Sequence, residues 1–169
     1  MKEIVVYPHP ILRKKAEEVP LIDGEVRDII SEMFETMKEG DGIGLAAPQI
    51  GISRRIIVVS VDEKGFHKFA LVNPRIVFFS KEKSIMEEGC LSIPGIRAEV
   101  ERPQSIVVEG FTRSGRAVRV EASGLLARVF QHEIDHLDGV LFIDKVVKAE
   151  RNRVEKELKE LFSDSTVSG

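Results

Sequence analysis

Cysteine is almost missing from this 169-residue chain: Cys90 is the single one, so no disulfide can close within the chain, and Cys90 acts as a thiol or thiolate. Tryptophan is absent too, and with 31% charged residues this is a composition shared with heat-stable proteins, although composition decides nothing here. Charge of one sign is nowhere concentrated. The 28 acidic and 25 basic residues are mixed along the chain and leave a net charge of −3, which excludes the footprint of a nucleic-acid or membrane-surface binder. No apolar run approaches the roughly 18 residues of a membrane span. Met1-Lys2-Glu3 and a short apolar run that meets Pro8 and Pro10 fit neither a secretory signal nor a transit peptide. Repeats and low-complexity tracts are lacking as well. What remains is a chain with 43% hydrophobic side chains, enough for one ordinary core, expected to be soluble and cytoplasmic.

Val26, Ile29, Ile30, Met33, Phe34 and Met37 recur at helical spacing between Asp23-Gly24 and Gly40, which predicts an amphipathic helix with one face on a core. Residues 55–61, 69–79, 105–111 and 117–121 are rich in Val, Ile and Phe and read as strands, with Arg113-Ser114-Gly115-Arg116 as a hairpin turn. A second helix is expected from Ser123, an N-cap, to Gly139, a C-terminal stop. Its apolar residues Leu125, Leu126, Val129, Phe130, Ile134 and Leu137 spread round much of its surface, so other elements should enclose it. A third helix over residues 148–162 has only the stripe Val154, Leu158 and Leu161, as on a surface helix, and 163–169 reads as a flexible tail. The expected fold is α+β, with mostly antiparallel sheets around a buried central helix and a C-terminal surface helix. One domain is expected, with residues 1–147 carrying the site.

The buried helix carries His132-Glu133-Ile134-Asp135-His136. In this HExxH pattern the two histidines are i, i+4 neighbours on one face, with Cβ atoms about 5–6 Å apart, near enough to share one ion. Glu133, one step round from His132, is placed to take a proton from a metal-activated water without being a ligand. Two solvated histidines on a polar face would be the plain alternative, but this helix is too apolar for it.

Two histidines leave a catalytic site one protein ligand short. The pattern HExxHxxGxxH fits through Gly139 but meets Phe142 where its last His belongs. A thermolysin-like site would use a downstream Glu, for which Glu155 and Glu157 are candidates. The third option is Cys90, in Glu88-Gly89-Cys90-Leu91-Ser92 at a strand end, where a thiolate would be a strong ligand for a divalent metal. A lone cysteine is more often a small buried hydrophobe, and Gly89 beside it permits a close backbone approach. The run Gly42-Ile43-Gly44-Leu45-Ala46-Ala47-Pro48-Gln49 also lets a ligand or strand come close, and Gln49 supplies an amide donor; by itself it could be only a Gly-rich turn into a strand. It is no phosphate loop.

Together the segments GIGLAAPQ (Gly42 to Gln49), EGCLS (Glu88 to Ser92) and QHEIDHL (Gln131 to Leu137) resemble, in order, the three motifs of the peptide deformylase family. The likeness extends from Tyr7-Pro8-His9-Pro10 to Gly139-Val140-Leu141-Phe142. It implies that Cys90, His132 and His136 bind one divalent ion, natively Fe2+, with Ni2+, Co2+ or Zn2+ able to substitute. The implied reaction is hydrolysis of the formyl group from the N-terminal formyl-methionine of new proteins, by attack of a metal-bound water with Glu133 as base and then acid. The implied oxyanion donors are the Gln49 side chain and the Leu91 N–H. Ile43, Met86, Leu125, Val129 and the face of His132 would form the methionine pocket, unless they are plain core; Gly44 and Gly89 would contact the peptide backbone. Arg97 would touch the peptide farther along, or be solvated. The direction of the Arg128 side chain stays open. Implied partners are N-formylmethionyl nascent chains and the ribosome, with no direct nucleic-acid motif and no membrane. Two other functions fit HExxH alone: a metallopeptidase with Glu155 or Glu157 as ligand, and a non-catalytic, ribosome-associated metal-binding module.

Overall fold

The computed structural model describes the backbone of residues 2–61 and 68–167, and their side chains as far as Leu161. Asp23 Oδ1 accepts the Val26 N–H at 3.0 Å, and from this cap helix α1 runs Gly24–Glu39, burying Val26, Ile29, Ile30, Met33 and Met37 as the spacing predicts. Five strands form one antiparallel sheet in the order β1-β2-β3-β6-β7: β1 is Gly44–Ala46, β2 Ile56–Ser60, β3 Lys68–Phe79, β6 Ser105–Phe111 and β7 Ala117–Ser123. The β6–β7 hairpin closes as expected, with the Thr112 carbonyl accepting from Gly115 and the Arg116 carbonyl from Thr112. β4, Lys83–Cys90, and β5, Ile93–Pro103, make a separate two-stranded antiparallel ribbon whose register slips between Gly89 and Cys90.

Helix α2, Gly124–Leu137, follows β7 directly. Ser123 holds the extended N-cap position but caps nothing with its side chain; its hydroxyl hydrogen-bonds the Ser105 hydroxyl at 2.8 Å instead, tying the helix start to β6. At the other end Gly139 has φ +74°, and a Cβ there would run into the backbone carbonyl of Arg13, so this glycine both stops the helix and lets the N-terminal segment cross it.

Strand β2 explains why α2 is a buried helix. Ile57 and Val59 face α2, where they meet Val129, Phe130, Ile134 and Leu137; Ile56 and Val58 face α1, where they meet Ile30 and Met33. The sheet is therefore covered on both faces at this strand, and its sequence is continuously apolar instead of alternating. Phe130 is fully buried between helix and sheet, and its truncation to Ala would cost about 3–5 kcal/mol. A third cluster joins Ile93, Ile96, Ala98 and Val100 of β5 to Leu12, Phe142 and Val154.

The C-terminal element begins as a 3-10 turn, Lys148–Glu150, and becomes helix α3 at Arg151. Its predicted stripe, Val154, Leu158 and Leu161, packs on the β5 cluster. α3 continues to Val167, past the expected boundary at 162; Ser168 and Gly169 of the expected tail lie outside the described residues. The fold is α+β with antiparallel sheets, as expected. β1 and β5 are the strands that the sequence reading did not name. Among the described residues no helix is long and apolar enough to cross a membrane.

Candidate active site

The face of α2 turned toward the β4–β5 ribbon is polar, and it meets the end of β4 at Cys90. The ligand atoms of Cys90, His132 and His136 lie within 4.8 Å of one another, with Cys90 Sγ 3.3 Å from His136 Nε2. His132 Nδ1 is 2.9 Å from Glu88 Oε1, so it donates there and leaves Nε2 for a ligand. One sulfur and two imidazoles, with space for a further ligand in the adjoining cleft, are a donor set suited to one divalent transition ion. Glu133 Oε1 is buried without a hydrogen-bond partner among the described residues, as a group that serves something bound in the site would be.

Charge is unevenly distributed here. Burial pushes the Glu133 carboxyl up to about 7, although the His132 cation pulls the other way. Burial would lower His132, but Glu133 together with hydrogen bonds to Cys90 and Glu88 holds it well above its ordinary 6.5. His136 is held well below that value by burial and by the neighbouring His132 charge. With a divalent cation held by these ligands, the balance would favour an ionised Glu133 and a neutral His132.

Beneath the histidines lies a buried ion network that sequence reasoning missed. Glu88, 6% exposed, accepts from Arg102 Nε at 2.6 Å and Nη2 at 3.0 Å, and from Arg128 Nη1 at 2.6 Å. Arg102 also reaches Asp135 at 2.9 Å, and Lys145 meets that Asp from the surface. Burial alone would raise the Glu88 pKa; the hydrogen bonds from His132 and Arg102 reverse this and hold it far below the usual carboxylate range. Arg128, of unsettled direction in the sequence, points into this network.

Gln49 follows β1 in a 3-10 turn, Ala47–Ile50, and is buried. Its Oε1 accepts the Ala46 N–H at 2.9 Å, which fixes the amide so that Nε2 faces Ser92 Oγ at 3.1 Å and Cys90 Sγ at 3.4 Å. Leu91 sits in the turn between β4 and β5, its side chain against Gly40 and Gly42. Gln49, Leu91, Cys90, His132 and Glu133 all line one cleft of about 680 Å³. All seven residues expected to contact substrate line it as well. Ile43, Met86 and Leu125 stand at its wall, each partly exposed, and Val129 is buried. Gly44 lies so close to the helix that a Cβ would fall 2.6 Å from Glu133 Oε2, and the Arg97 side chain covers Gly89. Arg97 itself pairs with Glu87 at 2.7 Å on the rim.

The family model for polypeptide deformylase matches residues 1–152, nine-tenths of the chain. The chain belongs to this family. A peptide deformylase of Rhizobium meliloti is 49% identical over 156 residues, covering 91% of this chain and 90% of that protein. Among solved structures, a Plasmodium falciparum peptide deformylase in complex with an inhibitor superposes with TM-score 0.88 at 42% identity, covering 95% and 99% of the two chains. The Thermotoga maritima peptide deformylase gives 0.82 at 45% identity, covering 87% and 98%. This chain is accordingly a metal-dependent deformylase-family hydrolase, with one Cys-His-His cluster among the described residues. Neither Glu155 nor Glu157 belongs to that cluster; both lie on α3, where Glu157 pairs with Arg153 at 3.0 Å. The signal that could have found the hidden network was present: Arg128 stands four residues before His132 on a helix, and Arg102 continues the buried positions Ile96, Ala98 and Val100 of β5.

Proposed function

We propose that this chain hydrolyses the N-formyl group from the N-terminal formyl-methionine of newly made proteins, releasing formate, with the proton carried by Glu133. The observation that supports this reading best is the meeting of Cys90, His132 and His136 at an apolar-walled cleft that Cys90, His132 and Glu133 line. Those three residues would hold one divalent ion, natively ferrous with nickel, cobalt or zinc able to replace it, and when bound it supplies the Lewis acidity that activates a water and polarises the formyl carbonyl.

The chain's own residues do the rest. Glu133, buried and with one oxygen unpartnered, takes the proton from the attacking water and returns it to the leaving amine nitrogen. A carboxyl poised near 7 without its ion suits both halves of that task. The Gln49 amide, oriented by Ala46, donates with Nε2 to the developing oxyanion, and the Leu91 N–H is its second donor. The formyl-methionine side chain lies against Ile43, Met86, Leu125, Val129 and the His132 ring; Gly44 and Gly89 run along the peptide backbone, and Arg97 meets residues farther along. Residues 1–147 would carry the site and 148–162 would pack on the same domain. The place of work is the cytoplasm, at the ribosome, with the C-terminal element from Lys148 onward as the docking element. Co-sedimentation with empty ribosomes tests this docking: the triple change Lys148→Glu, Lys156→Glu and Lys159→Glu should weaken it, and unchanged sedimentation ends the idea.

The deciding experiment measures formate release from a formyl-Met tripeptide under anaerobic conditions with ferrous ion or nickel loaded. The native chain should release formate and Glu133→Ala should not, while binding the metal equally. No release by a native chain that binds the metal through Cys90 would refute the proposed substrate.

A further inference from the structure

We propose that Arg128 is a positioning residue of the metal centre: it holds Glu88, through Glu88 the ring of His132, and so sets how tightly the ion is bound. This rests on the reading of Cys90, His132 and His136 as ligands.

Besides His132, Glu88 faces two buried guanidinium groups, those of Arg102 and Arg128. Arg102 cannot serve Glu88 alone, because its Nη1 is given to Asp135 at 2.9 Å. Two carboxylates thus share the Arg102 guanidinium, and Lys145, 43% exposed, pairs with Asp135. Arg128 is the second buried cation. Glu88 is the carboxylate it pairs with, at 2.6 Å, and its other donors go to the Val100 carbonyl at 2.9 Å, the Ser84 carbonyl at 2.8 Å and the Ser84 hydroxyl at 3.2 Å. A strut between α2 and the ribbon could be built from a neutral amide; burying a guanidinium is costly unless an anion needs it.

Geometry shows what the pair controls. Arg128 and His132 are one turn apart on α2, and both reach the same carboxylate on β4, Arg128 through Oε2 and His132 through Oε1. Two points of attachment one turn apart fix the rotation of the helix against β4, and with it the plane of the His132 ring. With Arg128 gone, Oε2 keeps only its bond from Arg102, itself divided with Asp135, and Glu88 is freer to turn away from His132. Arg128 also lines the cleft, so turnover alone would not isolate this role.

The test is a Co2+ titration of the full-length, metal-free protein without oxygen, following the thiolate-to-cobalt absorption against a competing chelator, with thermal melting of each metal-free variant. R128M keeps the apolar stem and should bind Co2+ about 10–100-fold more weakly, the usual effect of losing a partner behind a ligand. R128K keeps a cation on Glu88 and should restore binding close to native. Should R128M fail to fold, R128Q, which retains a hydrogen-bond donor but no charge, replaces it with the same expectation. Native affinity in folded R128M or R128Q overturns the proposal and leaves Arg128 a strut, as does R128K binding as weakly as they do. A native chain that shows no thiolate absorption would instead refute the ligand reading.

Discussion

Replacing Gly44 by alanine tests the construction of the site with the smallest possible change. The new Cβ would stand 2.6 Å from Glu133 Oε2 and 2.7 Å from Val129 Cγ1, both on α2. Carbon reaches favourable contact only near 3.5 Å, so roughly 1 Å of movement must be found between β1 and the helix. The sheet cannot easily give way, since Leu45 and Ala46 of β1 are fully buried and paired with β2. The softer response is rotation of the Glu133 carboxylate, whose Oε1 has no hydrogen-bond partner among the described residues. Misplacement of a catalytic group by about 1 Å costs on the order of 10²-fold in rate. Overpacking of this kind destabilises by about 1–3 kcal/mol, too little to unfold a domain of ordinary stability. The expected result for Gly44→Ala is therefore a kcat about 100-fold lower in anaerobic formate release, with metal content unchanged and a melting temperature lowered by only several degrees. A folded, metal-loaded variant with native kcat would refute the placement of Glu133 against β1.

Other outcomes follow from the same geometry. Gln49→Ala should lower kcat by about 10²–10³-fold by removing an oxyanion donor, read in the formate assay; it also strands the buried Ala46 N–H, so melting should show a loss of about 1–3 kcal/mol. Glu88→Gln leaves Arg102 and Arg128 without their shared anion and should destabilise by roughly 3–5 kcal/mol in denaturant titration. Because Glu88 is ionised more readily folded than unfolded, its contribution is complete above about pH 4.5 and is lost as pH falls below that. Native stability should then drop on acidification with a slope that Glu88→Gln makes shallower; identical slopes would exclude Glu88 as a source. The His132 ring, held protonated above its ordinary 6.5 in the metal-free protein, must give up a proton to bind an ion, so Co2+ affinity should rise with pH through neutrality. A pH-independent affinity would count against His132 as a ligand.

What the sequence made legible were features whose cause is local. The spacing of Val26 to Met37 states a buried helix face by itself, and the pair His132 and His136 states a shared ion by its separation of one turn. The same holds for the hairpin at Gly115. β1 was hidden because three residues in a Gly-rich run, Gly44–Ala46, carry no periodicity, and its strand character comes wholly from pairing with β2. β5 was hidden for a different reason: Pro94 and Pro103 mark its ends as loop, and Arg102 occupies a core position that a hydrophobic pattern would give to Val or Ile. The charges at Glu88, Arg102 and Arg128 look like surface residues until their partners are known, and those lie 14 and 40 positions away in the chain. Neither separation is that of neighbouring side chains on a helix or strand, so no local pattern pairs them. Yet the need for a partner was itself deducible. A helix enclosed by a sheet on one side and a ribbon on the other cannot leave Arg128 in water, so an anion had to be brought to it, and the acidic run before Cys90 supplied the one that also orients His132. The same buried carboxylate thus answers the helix's need for an anion and the metal site's need for an oriented imidazole, which is why the network sits beneath the ligands instead of at the protein surface.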